Sequence, residues 1–116
     1  MMPDYAMAES AVIALIKSLS RKLDRTGISV NVVCPGIIAT NFIRNRLTEA
    51  AEKQGRSTEW ADVEEWVLRN GLDNSTGRLA RPEDVADLIA LLASERASPI
   101  NGAKVMVDGR SVETIW

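Results

Sequence analysis

The chain has 116 residues, of which 46% are hydrophobic and 26% are charged, so it has room for one small domain or part of a larger one. These fractions are typical of soluble globular proteins and disfavour a wholly disordered or collagen-like chain. The 14 Lys+Arg and 16 Asp+Glu give a net charge of −2 and form no basic patch, so we expect no nucleic-acid partner. The chain has no His and a single Cys, which excludes His-containing zinc sites, His-dependent hydrolysis and an intramolecular disulfide.

The longest uninterrupted apolar run, Ala11 to Ile16, is far shorter than the roughly 20 residues that a transmembrane helix needs. Residues Met1 to Asp4 lack the basic start and apolar centre of a signal peptide, so we predict a cytoplasmic protein without a membrane partner. Cys34 would stay a thiol in that compartment, and we interpret it as a small buried hydrophobe rather than a reactive group.

The first third of the chain predicts a helix followed by a strand. Apolar residues recur every three or four positions from Tyr5 to Leu23, and Thr26-Gly27 offers a stop. The β-branched run Ile28 to Val33 then predicts a strand that Pro35-Gly36 ends. A helix joined to a strand by so short a turn is typical of a parallel sheet covered by helices, so we predict an α/β fold.

The rest of the chain is predominantly helical. Three-and-four spacing predicts helices over Asn41–Lys53 and Glu59–Asn70, and the polar stretch Gly71–Gly77 predicts a loop. Arg81-Pro82-Glu83-Asp84 has the Pro and acidic residues of a helix start, and the apolar residues after it predict a well-buried helix as far as Ala93. Lys104 to Val107 completes the prediction as a second short strand.

Four runs of residues in this order resemble the short-chain dehydrogenase/reductase family. They are Tyr5 to Glu9, Gly27 to Thr40, Gly77 to Ala86 and Asn101 to Gly109. The resemblance implies the C-terminal part of a Rossmann-like, doubly wound parallel sheet with two strands and several helices. Because only four residues precede Tyr5, we expect residues 1–116 to be a partial NAD(P)-binding domain without its glycine-rich N-terminal half. Within it, residues 41–76 would be a helical substrate lid.

By this resemblance Tyr5 is the catalytic residue that exchanges a proton with the substrate oxygen. A phenol is a poor base at neutral pH, and in the family a Lys one helical turn later supplies the cation that makes it useful. Here Glu9 occupies the Lys position, and a carboxylate cannot replace that cation. Lys17 is twelve residues from Tyr5, about 18 Å along a helix, and cannot replace it either. In the alternative interpretation, Tyr5 is simply a partly exposed aromatic residue at a helix start.

The same resemblance implies a cofactor-binding segment at Pro35, Gly36, Ile38 and Thr40. In the family the backbone near the Ile38 position and the hydroxyl at the Thr40 position hold the nicotinamide of NAD or NADP, and the Gly lets the backbone approach the ring. The carboxyl end of a parallel strand is where ligands bind in open α/β sheets. The alternative is a turn that ends the strand, with Thr40 capping the next helix.

Two further features of the resemblance bear on substrate and partners. Trp60 and Trp66 would line an apolar substrate pocket in the lid, although aromatics at helical spacing are also typical of ordinary packing. Asp108-Gly109 would lie at a subunit contact. Since two strands rarely form a stable sheet alone, we expect a homo-oligomer or association with a longer relative.

Three hypotheses about function follow. The first is a fragment of an NAD(P)-dependent oxidoreductase that acts on a small-molecule alcohol or carbonyl, uses no metal and is inactive as this chain alone. The second is a non-catalytic pseudoenzyme or oligomerisation fragment that associates with a full-length relative, which the Glu9 substitution favours. The third is a helical binding module unrelated to the family.

Overall fold

A computed structural model describes residues 3–72 and 74–111 of the chain, which form two compact units. The first unit combines residues 3–34 with Asp87–Val105, and the second combines Pro35–Ala86 with residues 106–111. None of the described helices is long and apolar enough to cross a bilayer. In chain order the elements are α1 (Pro3–Lys22), β1 (Val32–Pro35), α2 (Asn41–Lys53), α3 (Trp60–Asn70), α4 (Pro82–Leu92), a 3-10 turn (Glu95–Ala97) and β2 (Lys104–Val107).

These elements confirm the predicted α/β fold class and the predicted helices to within two residues. The predicted loop Gly71–Gly77 includes Asp73, which lies outside the described residues. The two strands pair in parallel: the Val32 amide donates to the Ala103 carbonyl at 2.9 Å, and the Gly36 amide donates to the Val107 carbonyl at 3.0 Å. Since both partners advance together along the chain, the strands run in the same direction.

The first strand lies later than predicted, at Val32–Pro35 instead of Ile28–Val33. Ahead of β1 one backbone bond remains, from the Gly102 amide to the Val30 carbonyl at 2.8 Å, and side-chain amides make the others. The Val30 amide donates to Asn101 Oδ1 at 2.9 Å, and Asn31 Nδ2 donates to the Ile100 carbonyl at 3.0 Å. Pro35 has no N–H, but it can still belong to this strand. The backbone donors towards β2 are at even-numbered positions, Val32 and Gly36, so the pairing needs no N–H from position 35.

The C-terminal part of α1 packs against the turn that precedes β2. Lys17 Nζ donates to the Gly102 carbonyl at 2.6 Å, and Asn101 Nδ2 donates to the Ser20 carbonyl at 3.4 Å. A Cβ at Gly102 would lie 2.6 Å from Ser20 Oγ, and Gly102 has a φ of +69°, so both space and backbone conformation require glycine there. The opposite face of α1 is open, with about half of the Leu15 side chain exposed.

The second unit has its core between α2, α3 and the segment before α4. Its fully buried side chains include Val63 and Leu79. The Leu79 amide donates to Glu64 Oε1 at 2.9 Å, which satisfies a backbone donor in this core. This core holds α2 and α3 together as a helical hairpin.

The prediction that the helix Pro82–Ala93 is well buried is wrong. None of the residues of α4, all of which the structure describes, is buried, and Ile89 is 52% exposed. A helix of an α/β protein buries its apolar face against a sheet, and two strands of four residues each offer too little surface to cover this one.

Candidate functional site

The turn that follows β1 is fixed by its neighbours in the second unit. The Gly36 amide is bonded to Val107, and the Ala39 amide donates to the Ala80 carbonyl at 2.8 Å. Ile38 and Ala80 form a parallel bridge. Residues 36–39 therefore form a well-ordered turn at the carboxyl end of a parallel strand, which is the usual place for a ligand in such sheets.

Gly36 is required in this turn for a packing reason. A Cβ at position 36 would lie 2.8 Å from Asp108 Cβ and 2.9 Å from Asp108 Cα, closer than real Cβ atoms approach other carbon atoms. The close passage of the chain after β2 therefore explains the glycine without a ligand. The role that the family resemblance gives it, close approach of the backbone to a ring, stays a prediction.

Thr40 is the N-cap of α2, as in the alternative interpretation of its role. Its φ of −67° and ψ of 161° are extended, and its Oγ1 accepts a hydrogen bond from the Ile43 amide at 3.3 Å. The Thr40 amide donates to the Ile38 carbonyl at 2.7 Å. A hydroxyl has one proton and two lone pairs, so capping leaves the Thr40 proton and one lone pair for a ligand.

A polar groove of about 510 Å³ lies beside Thr40. Arg44 and Arg81 contribute positive charge, and Glu83 contributes one negative charge. The α2 N-terminus, at Asn41, adds the positive end of a helix dipole. The groove therefore has a positive balance that suits a polar or anionic group. Arg44 is not among the residues predicted from the sequence, although its position four residues after the Thr40 cap places it near the start of α2.

An apolar groove of about 250 Å³ lies on the α2–α3 hairpin. Its lining consists of one residue of the turn, one of α2 and the end of α3 with the loop after it: Ile37, Leu47, Trp66, Val67, Asn70, Gly71 and Leu72. Among the residues that the structure describes, those that line this groove carry no charge. Of the two Trp residues predicted to line a pocket, Trp66 lines this groove, whereas Trp60 lies under the Arg44 guanidinium, 4.6 Å from the ring centroid.

An ion pair fixes the start of α4 close to this turn. Arg78 makes two hydrogen bonds to the Asp84 carboxylate, at 2.6 and 2.9 Å, and the Arg81 amide donates to Asp84 Oδ2 at 2.7 Å. The Arg78 hydrogen bonds hold the pKa of Asp84 well below its ordinary value, with the Arg81 amide adding to the effect. The same bond raises the pKa of Arg78. The segment that pairs with Ile38 is thereby anchored.

Tyr5 lies in the first turns of α1, in the first unit, with 59% of its surface exposed. Glu9 is one turn further along the helix and is also exposed. Lys17 lies twelve residues after Tyr5 on α1, and its ammonium group donates a hydrogen bond to the Gly102 carbonyl. The structure thus brings Pro35, Gly36, Ile38 and Thr40 together in one turn of the second unit, and it places Tyr5 in the other unit.

Comparisons with known proteins agree with this architecture. A family model described as Enoyl-(Acyl carrier protein) reductase matches residues 1–109. The uncharacterized oxidoreductase YmfI of Bacillus subtilis is 40% identical over 105 residues, which are 90% of this chain and 37% of that protein.

Solved structures of longer proteins share the fold. L-sorbose reductase from Gluconobacter frateurii, in complex with NADPH and L-sorbose, superposes with a TM-score of 0.78 and 27% identity over 97% of this chain and 41% of its own. A short-chain oxidoreductase from Pseudomonas aeruginosa, described as containing an atypical catalytic center, gives a TM-score of 0.80 and 27% identity. The match covers 93% of this chain and 40% of that protein. This chain spans about two fifths of the length of these relatives. On the family match and these likenesses, it belongs to the short-chain dehydrogenase/reductase family.

Proposed function

We propose that this chain forms the nicotinamide and substrate end of an NAD(P)-dependent oxidoreductase that acts on a hydroxyl/carbonyl pair. The observation that carries the proposal is the fixed turn Pro35–Thr40 at the carboxyl end of β1. Since the chain spans about two fifths of its relatives, we expect it to be inactive on its own.

The residues of the turn fit a nicotinamide carboxamide, which offers an N–H₂ donor and a carbonyl acceptor. The Thr40 hydroxyl keeps a proton to donate, and the Ile38 carbonyl, which accepts one bond from the Thr40 amide, keeps a second lone pair to accept. The groove beside Thr40 is positive at Arg44 and Arg81, which favours the approach of a negatively charged cofactor. The relative from Gluconobacter frateurii binds NADPH, which supports the same cofactor class here.

The chemistry divides between cofactor and protein. A nicotinamide held by the turn Pro35–Thr40 would supply hydride chemistry. By the family resemblance, the Tyr5 hydroxyl would supply the proton for a substrate oxygen. Glu9 departs from the family pattern because a carboxylate cannot replace the cation that the family has at this position.

A titration with NADPH, followed by amide NMR, tests the cofactor site. We expect shifts at Gly36, Ile38 and Thr40 and none at Thr26, with a dissociation constant no tighter than about 1 mM, because only the nicotinamide end is contacted. Thr40→Ser keeps the hydroxyl and should bind equally, whereas Thr40→Asp keeps a capping oxygen but has no proton to donate and should lose the shifts. Unchanged Thr40 signals, or micromolar affinity, would contradict the proposal.

A second candidate function is association with a full-length relative. It is favoured by the exposed apolar surface of α1, where Met7 is 73% exposed and Leu15 is 55% exposed. Side chains of this kind on one helix are typical of a protein contact. Co-expression with a full-length family member, followed by co-purification, tests this candidate, and Leu15→Asp should abolish recovery of the complex.

A further inference from the structure

We propose that the apolar groove on the α2–α3 hairpin receives a hydrocarbon part of the substrate, so that the substrates are ketones, aldehydes or alcohols with a ring or short branched apolar group. This inference rests on the proposed function, because it takes the turn Pro35–Thr40 as the place where the nicotinamide binds. It adds the substrate class, which the family likeness leaves open.

The groove is continuous with the turn through one residue. Ile37 lies between Gly36 and Ile38, its side chain is 41% exposed, and it forms one wall of the groove. A molecule seated against Ile37 therefore lies beside the residues proposed to hold the nicotinamide carboxamide. This position suits a substrate whose carbonyl must meet the nicotinamide ring.

The lining favours hydrocarbon over polyhydroxylated groups. Leu47, Val67 and Leu72 offer no hydrogen bonds, so each hydroxyl placed against them would lose its water without a replacement partner. Asn70 is the polar side chain of the lining; its Nδ2 donates one hydrogen bond, to the Trp66 carbonyl at 2.8 Å, and it keeps one N–H and its Oδ1 for a ligand. A substrate with several hydroxyls would therefore find fewer hydrogen-bond partners in this groove than it has in water.

Trp66 gives the groove a fixed aromatic wall. The Arg56 guanidinium stacks 5.2 Å from the centroid of its ring, and α3 is held to the core by the buried residues Val63 and Val67. A cation over an aromatic face restricts the ring. The wall is thus formed before a ligand arrives, which lowers the entropic cost of binding.

The size of the groove distinguishes a small molecule from a protein partner. A volume of about 250 Å³ exceeds the roughly 150 Å³ of an engineered cavity that binds benzene. A stable protein interface buries about 800 Å² on each side, which a hollow of this size does not supply. The occupant that fits is a group somewhat larger than benzene.

Binding of cyclohexanone to the whole chain, without cofactor, tests the inference. We expect saturable shifts of the Ile37 and Leu47 methyl signals and of the Trp66 indole signal, with a dissociation constant on the order of 1 mM. Dihydroxyacetone, a polyhydroxylated ketone, should give no such shifts at equal concentration. Ile37→Asn should weaken cyclohexanone binding at least about tenfold, a change equivalent to about 1.4 kcal/mol.

Ile28→Asn is the matched control, because Ile28 is 55% exposed, lies outside the helices and does not line the groove. It should leave cyclohexanone binding unchanged, and the amide spectrum of each variant reports whether its fold is kept. If NADPH shifts Thr40 but cyclohexanone leaves Ile37 unchanged, the inference fails and the proposed function stands. If cyclohexanone binds but NADPH leaves Thr40 unchanged, the proposed function fails and the identification of the ligand as a substrate fails with it. Equal binding of dihydroxyacetone would also overturn the inference.

Discussion

At the scale of single residues, Tyr5 and Glu9 decide what activity we expect. On the proposed role of Tyr5 as the proton-transfer residue, the position one helical turn later, Glu9, has a carboxylate where the family has an ammonium group. A carboxylate cannot supply the positive charge that the family has at this position. Lys17 does not compensate, since its ammonium group is bonded to the Gly102 carbonyl.

We therefore predict no NAD(P)H oxidation by this chain with any carbonyl substrate. Absorbance assays over a panel of ketones and aldehydes check this, with Tyr5→Phe as the control for any residual rate. Glu9→Lys alone should not restore activity. Tight binding of the dinucleotide needs a glycine-rich phosphate-binding loop, and residues 1–116 do not supply one. Turnover that disappears in Tyr5→Phe would show the prediction to be wrong.

Gly36 gives a second prediction at this scale. Gly36→Ala should lower the free energy of unfolding by about 1–3 kcal/mol, because the new Cβ meets the Asp108 backbone and side chain at under 3 Å. Urea unfolding measures the change. Gly71→Ala is the matched control, since Gly71 has an extended φ of −178° and a Cβ there would meet no atom within 4 Å, and it should change the stability by less than about 0.5 kcal/mol. Equal losses in both variants would contradict the packing argument.

At the scale of elements, the start of α4 depends on the charge of Asp84. Its carboxylate accepts hydrogen bonds from Arg78 and from the Arg81 amide, and its pKa is held well below the ordinary value in the folded chain. A depressed pKa means that the ionised form stabilises the fold at pH values above the ordinary carboxyl pKa of about 3.9. That contribution is lost as the pH falls below this value.

We accordingly expect the thermal unfolding midpoint to fall between about pH 5 and about pH 2, and Asp84→Asn to show a smaller fall. The variant should also be less stable than the parent chain at neutral pH, because Arg78 loses its charged partner. Asp87→Asn, an exposed position on the same helix, serves as the control and should keep the pH dependence of the parent. An Asp84→Asn chain with the full pH dependence would exclude this role for Asp84.

The elements also show which features local sequence determines. The helix Asn41–Lys53 and the strand Lys104–Val107 were predicted at their observed bounds, because a Thr cap, helical spacing and β-branched residues are local signals. The start of β1 was mispredicted because the Asn31 and Asn101 side chains form hydrogen bonds with the backbone ahead of it. These bonds join residues some 70 positions apart, which local sequence does not reveal. Burial of α4 was overestimated because apolar content alone does not provide a surface to pack against.

The candidate site was predictable to a similar extent. The turn Pro35–Thr40 was found through its resemblance to a family motif, and the structure adds why it is rigid. Leu47 and Leu72 were not singled out, because their convergence on Ile37 arises only when α2 and α3 pack together. Sequence spacing on one helix carries no information about which residue of another segment lies opposite it.

At the scale of the whole molecule, an excess of apolar surface is the main feature. The large hydrophobic residues left exposed include Tyr5, Met7, Val12 and Leu15 on α1 and Ile89 on α4. Isolated exposed apolar residues are normal on a monomer, but several on one helix, with exposed fractions of about one half or more, are not. Their burial by another chain would be favourable by about 25 cal/mol per Å² of apolar surface.

We therefore predict that the chain associates with itself at tens of micromolar. Sedimentation velocity should show species larger than the 12.7 kDa monomer, in proportions that rise with concentration. Leu15→Asp should reduce this association and improve solubility, because a charge at the centre of α1 is costly to bury in a contact. Phe42→Asp is the matched control: Phe42 is 66% exposed but lies on α2, and its substitution should leave the sedimentation profile unchanged. A compact, monodisperse monomer with cooperative unfolding would show that the chain is stable without a partner, and association through α1 would lose its physical basis.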